Sequence, residues 1–120
     1  MHLRNSLTAL ALAVAVLSLA GCGEQEQKAA ADPAVIARGE ALFTGTCGAY
    51  CHKMTPTESD ALFLFDCDWK HGSTDEDIFK VINEGVAETR MVAFGGAFPE
   101  GDKDTRAVIA YLRSASQCKQ

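Results

Sequence analysis

Two thiols and an imidazole sit together in Cys47-Gly48-Ala49-Tyr50-Cys51-His52. Each thiol can add across a vinyl group to form a thioether, and the histidine that follows at once can ligate iron. The trio therefore suits covalent attachment of a haem. The common spacing for that chemistry is Cys-x-x-Cys-His; here Gly48, Ala49 and Tyr50 make the spacer one residue longer. Residues four apart share a helical face as residues three apart do, so both thioethers remain feasible if the chain bulges between them. Two thiolates and an imidazole also suit Cu(I) or Zn.

The remaining cysteines bear on where this chemistry takes place. The chain has five: Cys22, Cys47, Cys51, Cys67 and Cys118. Near the amino terminus Arg4 precedes an apolar run from Leu7 to Leu19, shorter than the roughly 18–20 residues of a membrane span and ending in small residues. Leu19-Ala20-Gly21-Cys22 resembles a bacterial lipobox. The resemblance implies that residues 1–21 are a lipoprotein signal peptide and that Cys22 carries lipid, an anchor to which each buried methylene contributes roughly 0.8 kcal/mol. A plain secretory signal cut nearby is the alternative. Either way the folded part is expected in an oxidising space, on the periplasmic side of a bacterial membrane. With Cys22 lipidated and Cys47 and Cys51 on haem, Cys67 and Cys118 are left and are expected to pair, because an unpaired thiol is a liability there. Closing a loop of that length stabilises by roughly 4 kcal/mol at most; two free buried thiols are the alternative.

Removing residues 1–21 takes away one base (Arg4) and no acid, so the net charge moves from −5 to −6. No basic patch points to nucleic acid. An acidic carrier suits a basic surface on a redox partner. The mature chain is one small domain, of a size that gains from a buried cofactor or a cross-link.

The elements that must position these groups are helical. Residues 22–31 contain no core-forming stretch and read as a lipidated flexible linker. Asp32-Pro33 then has the form of a helix start, an acceptor cap followed by proline at the first helical position. That helix takes in Ala34 to Phe43 and runs toward the cysteine motif, with Gly39 interrupting it at about 1 kcal/mol relative to Ala, a hint of close packing. Ser73 with Glu76 three residues on forms a capping-box pattern ahead of Ile78, Val81 and Ile82, and Gly85 is a stop. Asp102 to Asp104 opens a last helix whose apolar face holds Val108, Ile109, Tyr111, Leu112 and Ala115, with Arg113 near its end. Leu62-Phe63-Leu64-Phe65 is the sole strand-like run and lacks a partner. The expectation is a small all-α domain over residues 32–120.

Gly39 and Phe43 ahead of the cysteine–histidine motif, Gly85 and then Met91 in a loop, and Ala110-Tyr111-Leu112 in the last helix stand in an order that resembles a single-haem class I cytochrome c, over about residues 32–117. The resemblance implies three main helices around one covalent haem c, a crossing of the first and last helices with Gly39 and Tyr111 at the contact, and Met91 as second axial ligand opposite His52. The residues themselves are compatible with that. Met54 is two residues from His52 and too near to reach the other face of the haem, whereas Met91 is well downstream; a methionine there raises the reduction potential. His71 is the alternative ligand. Three departures stand out: the long spacer, Val92 where the family has proline, and the missing Gly-Pro whose carbonyl orients the haem histidine. Only Pro56 lies near His52, which leaves the acceptor for its ring N–H undefined.

Weaker candidates surround these. Trp69 suits a propionate donor or plain core, Lys70 and Arg90 suit propionate partners or solvated surface, and Phe43, Phe65, Phe79, Phe94 and Phe98 suit a haem crevice or ordinary packing. Asp66 and Asp68 flank Cys67 as a solvated turn. The expected function is a periplasmic, membrane-tethered electron carrier and not an enzyme. Its redox partners would be a periplasmic dehydrogenase or a respiratory complex. Two other readings compete: a thiol- or copper-binding lipoprotein using Cys47 and Cys51, and a haem sensor or peroxidase with an open iron site. The first works against the helical pattern, since thioredoxin-like copper chaperones need alternating strands and helices. The second needs Met91 not to bind.

Overall fold

Asp32 accepts a hydrogen bond from the Ala34 N–H at 2.8 Å and Pro33 fills the first helical position, so helix α1 begins there and spans Pro33–Leu42. The computed structural model describes residues 31–59 and 61–118; the signal-peptide stretch, Cys22 and the linker up to residue 30 lie outside the described residues. From Phe43 the chain does not leave the helix axis but widens into a π-helical turn, Phe43–Gly48. Helix α2 spans Asp75–Glu84 and helix α3 Asp102–Ala115. No strand occurs among the described residues, so Leu62 to Phe65 is irregular.

One local expectation is corrected. The cap of α2 is Thr74, not Ser73: its hydroxyl accepts from the Asp77 N–H at 3.1 Å, and the Asp77 carboxylate accepts from the Thr74 N–H at 3.0 Å. The reciprocal pair is a capping box displaced by one residue from Ser73 and Glu76. Arg113 of α3 accounts for the shift, because its guanidinium donates to the Ser73 carbonyl and to Asp75. Glu76 instead takes a hydrogen bond from Arg106 at 2.8 Å. Gly85 ends α2 with φ +72, the left-handed region that favours glycine.

Helices α1 and α3 cross at Gly39. A Cβ built there would lie 1.9 Å from the Ala107 carbonyl oxygen and 3.0 Å from the Tyr111 Cβ, so only glycine allows this approach. Around the crossing a core forms from Phe43, Phe65, Ile78, Ile82, Phe98, Val108, Ile109, Tyr111 and Leu112. The rings of Phe43, Phe65 and Tyr111 meet pairwise at 5.5–5.9 Å, distances at which aromatic pairs add to area burial. Beside the crossing, Arg38 makes a two-pronged 2.9 Å contact with Asp104, which is 1% exposed and also accepts from the Glu100 N–H. Cys67 and Cys118 are joined as a disulfide with Cα atoms 5.6 Å apart.

Candidate functional site

The extra spacer residue is absorbed by the π turn. The Cys47 carbonyl accepts from the Cys51 N–H at 3.1 Å and also from the His52 N–H at 2.9 Å. The second is a five-residue closure, the signature of a turn wider than α. One added residue is taken up within the helix, and Cys51 and His52 still leave it together. The bulge therefore begins at Phe43, ahead of the motif, and not within the spacer alone.

His52 finds the acceptor that the sequence leaves undefined. Its Nδ1 lies 2.8 Å from the Leu62 carbonyl oxygen. A carbonyl can only accept, so Nδ1 carries the proton and Nε2 keeps the lone pair needed for a metal. The same contact fixes the ring's orientation and raises its basicity as a ligand.

Cys47, Cys51 and His52 line one cavity of about 770 Å³, within the roughly 300–1,000 Å³ of ligand sites. Its apolar walls come from α2 (Ile78, Val81, Ile82) and α3 (Val108, Leu112), with Phe43 and Phe94. Burial first, and then the neighbouring Cys51, pushes the Cys47 thiol up to about 11. A thiol protonated at neutral pH is a poor nucleophile, which weighs against direct thiol chemistry.

Met91 lines the same cavity. Its loop is folded back on the end of α2: Val86 N–H donates to the Met91 carbonyl at 2.9 Å, and the Met91 N–H donates to the Thr89 hydroxyl at 3.1 Å. A Cβ on Gly85 would come within 2.6 Å of that carbonyl, so the glycine both stops α2 and lets the loop close. Met54 is exposed and stands outside the lining. His71, Trp69, Lys70 and Arg90 reach the cavity as well, with His71 exposed.

The aromatic candidates divide. Phe43 and Phe94 line the cavity, Phe65 and Phe98 belong to the core behind it, and Phe79 lies under the Arg106 guanidinium at 4.4 Å. Trp69 lies beneath Arg113, 5.4 Å from ring centre to guanidinium. Asp66 accepts from the Asp68 N–H at 3.0 Å, a turn around Cys67 as expected. Leu62 is a site residue that sequence reasoning missed as an acceptor. Its contribution is a backbone oxygen, which no side chain announces.

The residues fit a covalent haem: two thiols, an imidazole with a free Nε2, a thioether sulfur, and an apolar cavity that gathers all of them. The comparison with family models agrees. Residues 34–112 match the family model described as cytochrome C oxidase, cbb3-type, subunit III. A solved structure of cytochrome c6 from the diatom Phaeodactylum tricornutum is 29% identical and covers 67% of this chain and 93% of its own, with a TM-score of 0.48. No curated protein matches significantly.

Proposed function

Because the chain belongs to the cytochrome c domain family described as cytochrome C oxidase, cbb3-type, subunit III, we propose that it is a membrane-tethered electron carrier with His52 and Met91 as axial ligands. That the chain is a c-type cytochrome with a covalent haem follows from the family; the ligand pair and the tether are the finer reading. The observation that carries it is the hydrogen bond from His52 Nδ1–H to the Leu62 carbonyl, which leaves Nε2 as the ligating atom beside two cavity-lining thiols. A c-type haem supplies an iron that takes up and gives up one electron. The protein's own residues hold it through Cys47 and Cys51, orient the imidazole and exclude water with α2 and α3. His52 and Met91 would both bind the iron, a pairing that suits electron transfer over bond-making chemistry.

The tether rests on Leu19-Ala20-Gly21-Cys22, which places the domain on the periplasmic side behind a short linker. An oxidising space suits the Cys67–Cys118 disulfide. The family's description names an oxidase, which supports partners within a respiratory chain: a dehydrogenase or quinol-oxidising complex as donor, a terminal oxidase as acceptor. The net negative charge favours a basic docking surface.

Oxidised protein is expected to show the near-infrared sulfur-to-iron band. Met91→Ala should lose it, with a potential lower by on the order of 100 mV, part of the roughly 0.8 V that axial ligands span. His71→Ala should keep both. No band in the parent protein, with an altered spectrum in His71→Ala, would reassign the ligand to His71. A high-spin parent spectrum would favour the open-site sensor.

A further inference from the structure

The acceptor for His52 sits on an irregular segment between the cysteine motif and α2. Among the described residues, positions 53–73 carry no helix, and a backbone–backbone hydrogen bond ties them to the chain beyond α3, from Gln117 N–H to the Phe65 carbonyl, at 2.8 Å. Leu62 is three residues before that bond and Cys67 two residues after it. Cys67 is bridged to Cys118, the residue after Gln117. Two adjacent positions beyond α3 thus grip two nearby positions of the irregular segment. The Ser116 hydroxyl donates to the Leu112 carbonyl at 2.6 Å, which ties the grip to the last turns of α3. Phe65, 3% exposed, presses its ring against Phe43, where the π turn begins, and against Tyr111.

We propose that the Cys67–Cys118 disulfide and the Gln117–Phe65 hydrogen bond form a strap that positions the Leu62 carbonyl, and through it the imidazole of His52. The strap residues touch no reacting group; they are positioning residues for an axial ligand. This goes beyond a staple against global unfolding, because the segment they hold is the one that carries the acceptor. The inference rests on the haem reading above, with His52 as ligand.

Local opening of the segment would break the bond to Leu62 and expose the Nδ1–H to water, while Nε2 stays on iron. The rate of exchange of that proton therefore reports the strap directly. It can be followed by NMR in the ferrous protein, at a temperature where parent and variants are all folded. Two variants attack the strap independently: Cys67→Ser with Cys118→Ser removes the bridge, and Gln117→Pro removes the N–H donor while keeping the bridge. Each should speed exchange by about tenfold or more and raise the reduction potential, since an imidazole that no longer donates to the carbonyl is a less basic ligand and stabilises the oxidised iron less. If urea unfolding shows lost stability in a variant but exchange and potential stay at parent values, the strap is overturned and the bridge is a staple only. Should the bridge variant fail to fold, unchanged exchange in Gln117→Pro overturns the proposal by itself. A red parent protein with unmoved variants sinks the strap alone, whereas a parent without covalent haem sinks both the strap and the haem reading.

Discussion

His52, at the site, and Asp104, away from it, show how much depends on single atoms. The thiols, the adjacent histidine and the loop methionine are legible in the sequence because each announces its chemistry by residue type. The Leu62 carbonyl is not, since any residue could supply it and only the path of the chain brings it 2.8 Å from Nδ1. By sequence Asp104 is merely an acid at a helix start, yet it is buried against Arg38 with two 2.9 Å contacts. The Arg38 guanidinium, helped by the Glu100 N–H, holds its carboxyl below the usual carboxylate range although burial opposes this. A depressed folded-state value means the stabilisation is present above the unfolded value near pH 4 and lost as pH falls through the lower folded value. Asp104→Asn should therefore lower stability at neutral pH and flatten the acid limb. Urea midpoints of parent and variant, measured from pH 6 down to pH 2, should converge at the acid end; a constant gap would contradict the assignment.

Among the elements, the α1–π–α3 unit carries the argument. Sequence periodicity located all three helices, because apolar spacing, a proline start and glycine stops act locally. It could not place the π turn. The spacer displays one residue too many, but the turn that absorbs it begins four residues before Cys47, where Phe43 is already locked in the core. The misplaced capping box has a similar cause. Ser73-Thr74-Asp75-Glu76-Asp77 satisfies the pattern in two registers, and a long-range contact from Arg113 settles between them. Gly39 was legible as a close approach, and its geometry gives a firm expectation. In an exposed helix Gly→Ala gains about 1 kcal/mol, but here the new methyl meets the Ala107 backbone, which cannot rotate away. Gly39→Ala should cost at least about 2 kcal/mol, in the range of overpacking penalties, seen as a lower denaturant midpoint in haem-loaded protein. An unchanged or raised midpoint would mean that α1 and α3 cross less tightly than described.

At the scale of the whole molecule, the π turn, α2, α3 and the loops between them line a cavity of about 770 Å³, a large space for so short a chain. Interiors are normally packed without voids, so a space of this size implies an occupant. The cavity's lining comes from both sides: the π turn with Cys47, Cys51 and His52, and the α2–Met91 loop. The overall class was readable because the order of motifs along the chain is itself a signature. How the long spacer is reconciled with the fold was not, since that depends on packing between distant segments. The central claim is that the long spacer still delivers both thiols to one haem. Proteolysis of protein produced with a haem-attachment system, followed by mass spectrometry of the fragment bearing residues 47–52, tests this most directly. The account predicts one haem added to that fragment through two thioethers, with neither Cys47 nor Cys51 open to alkylation. A haem-free fragment with two alkylated thiols would contradict it.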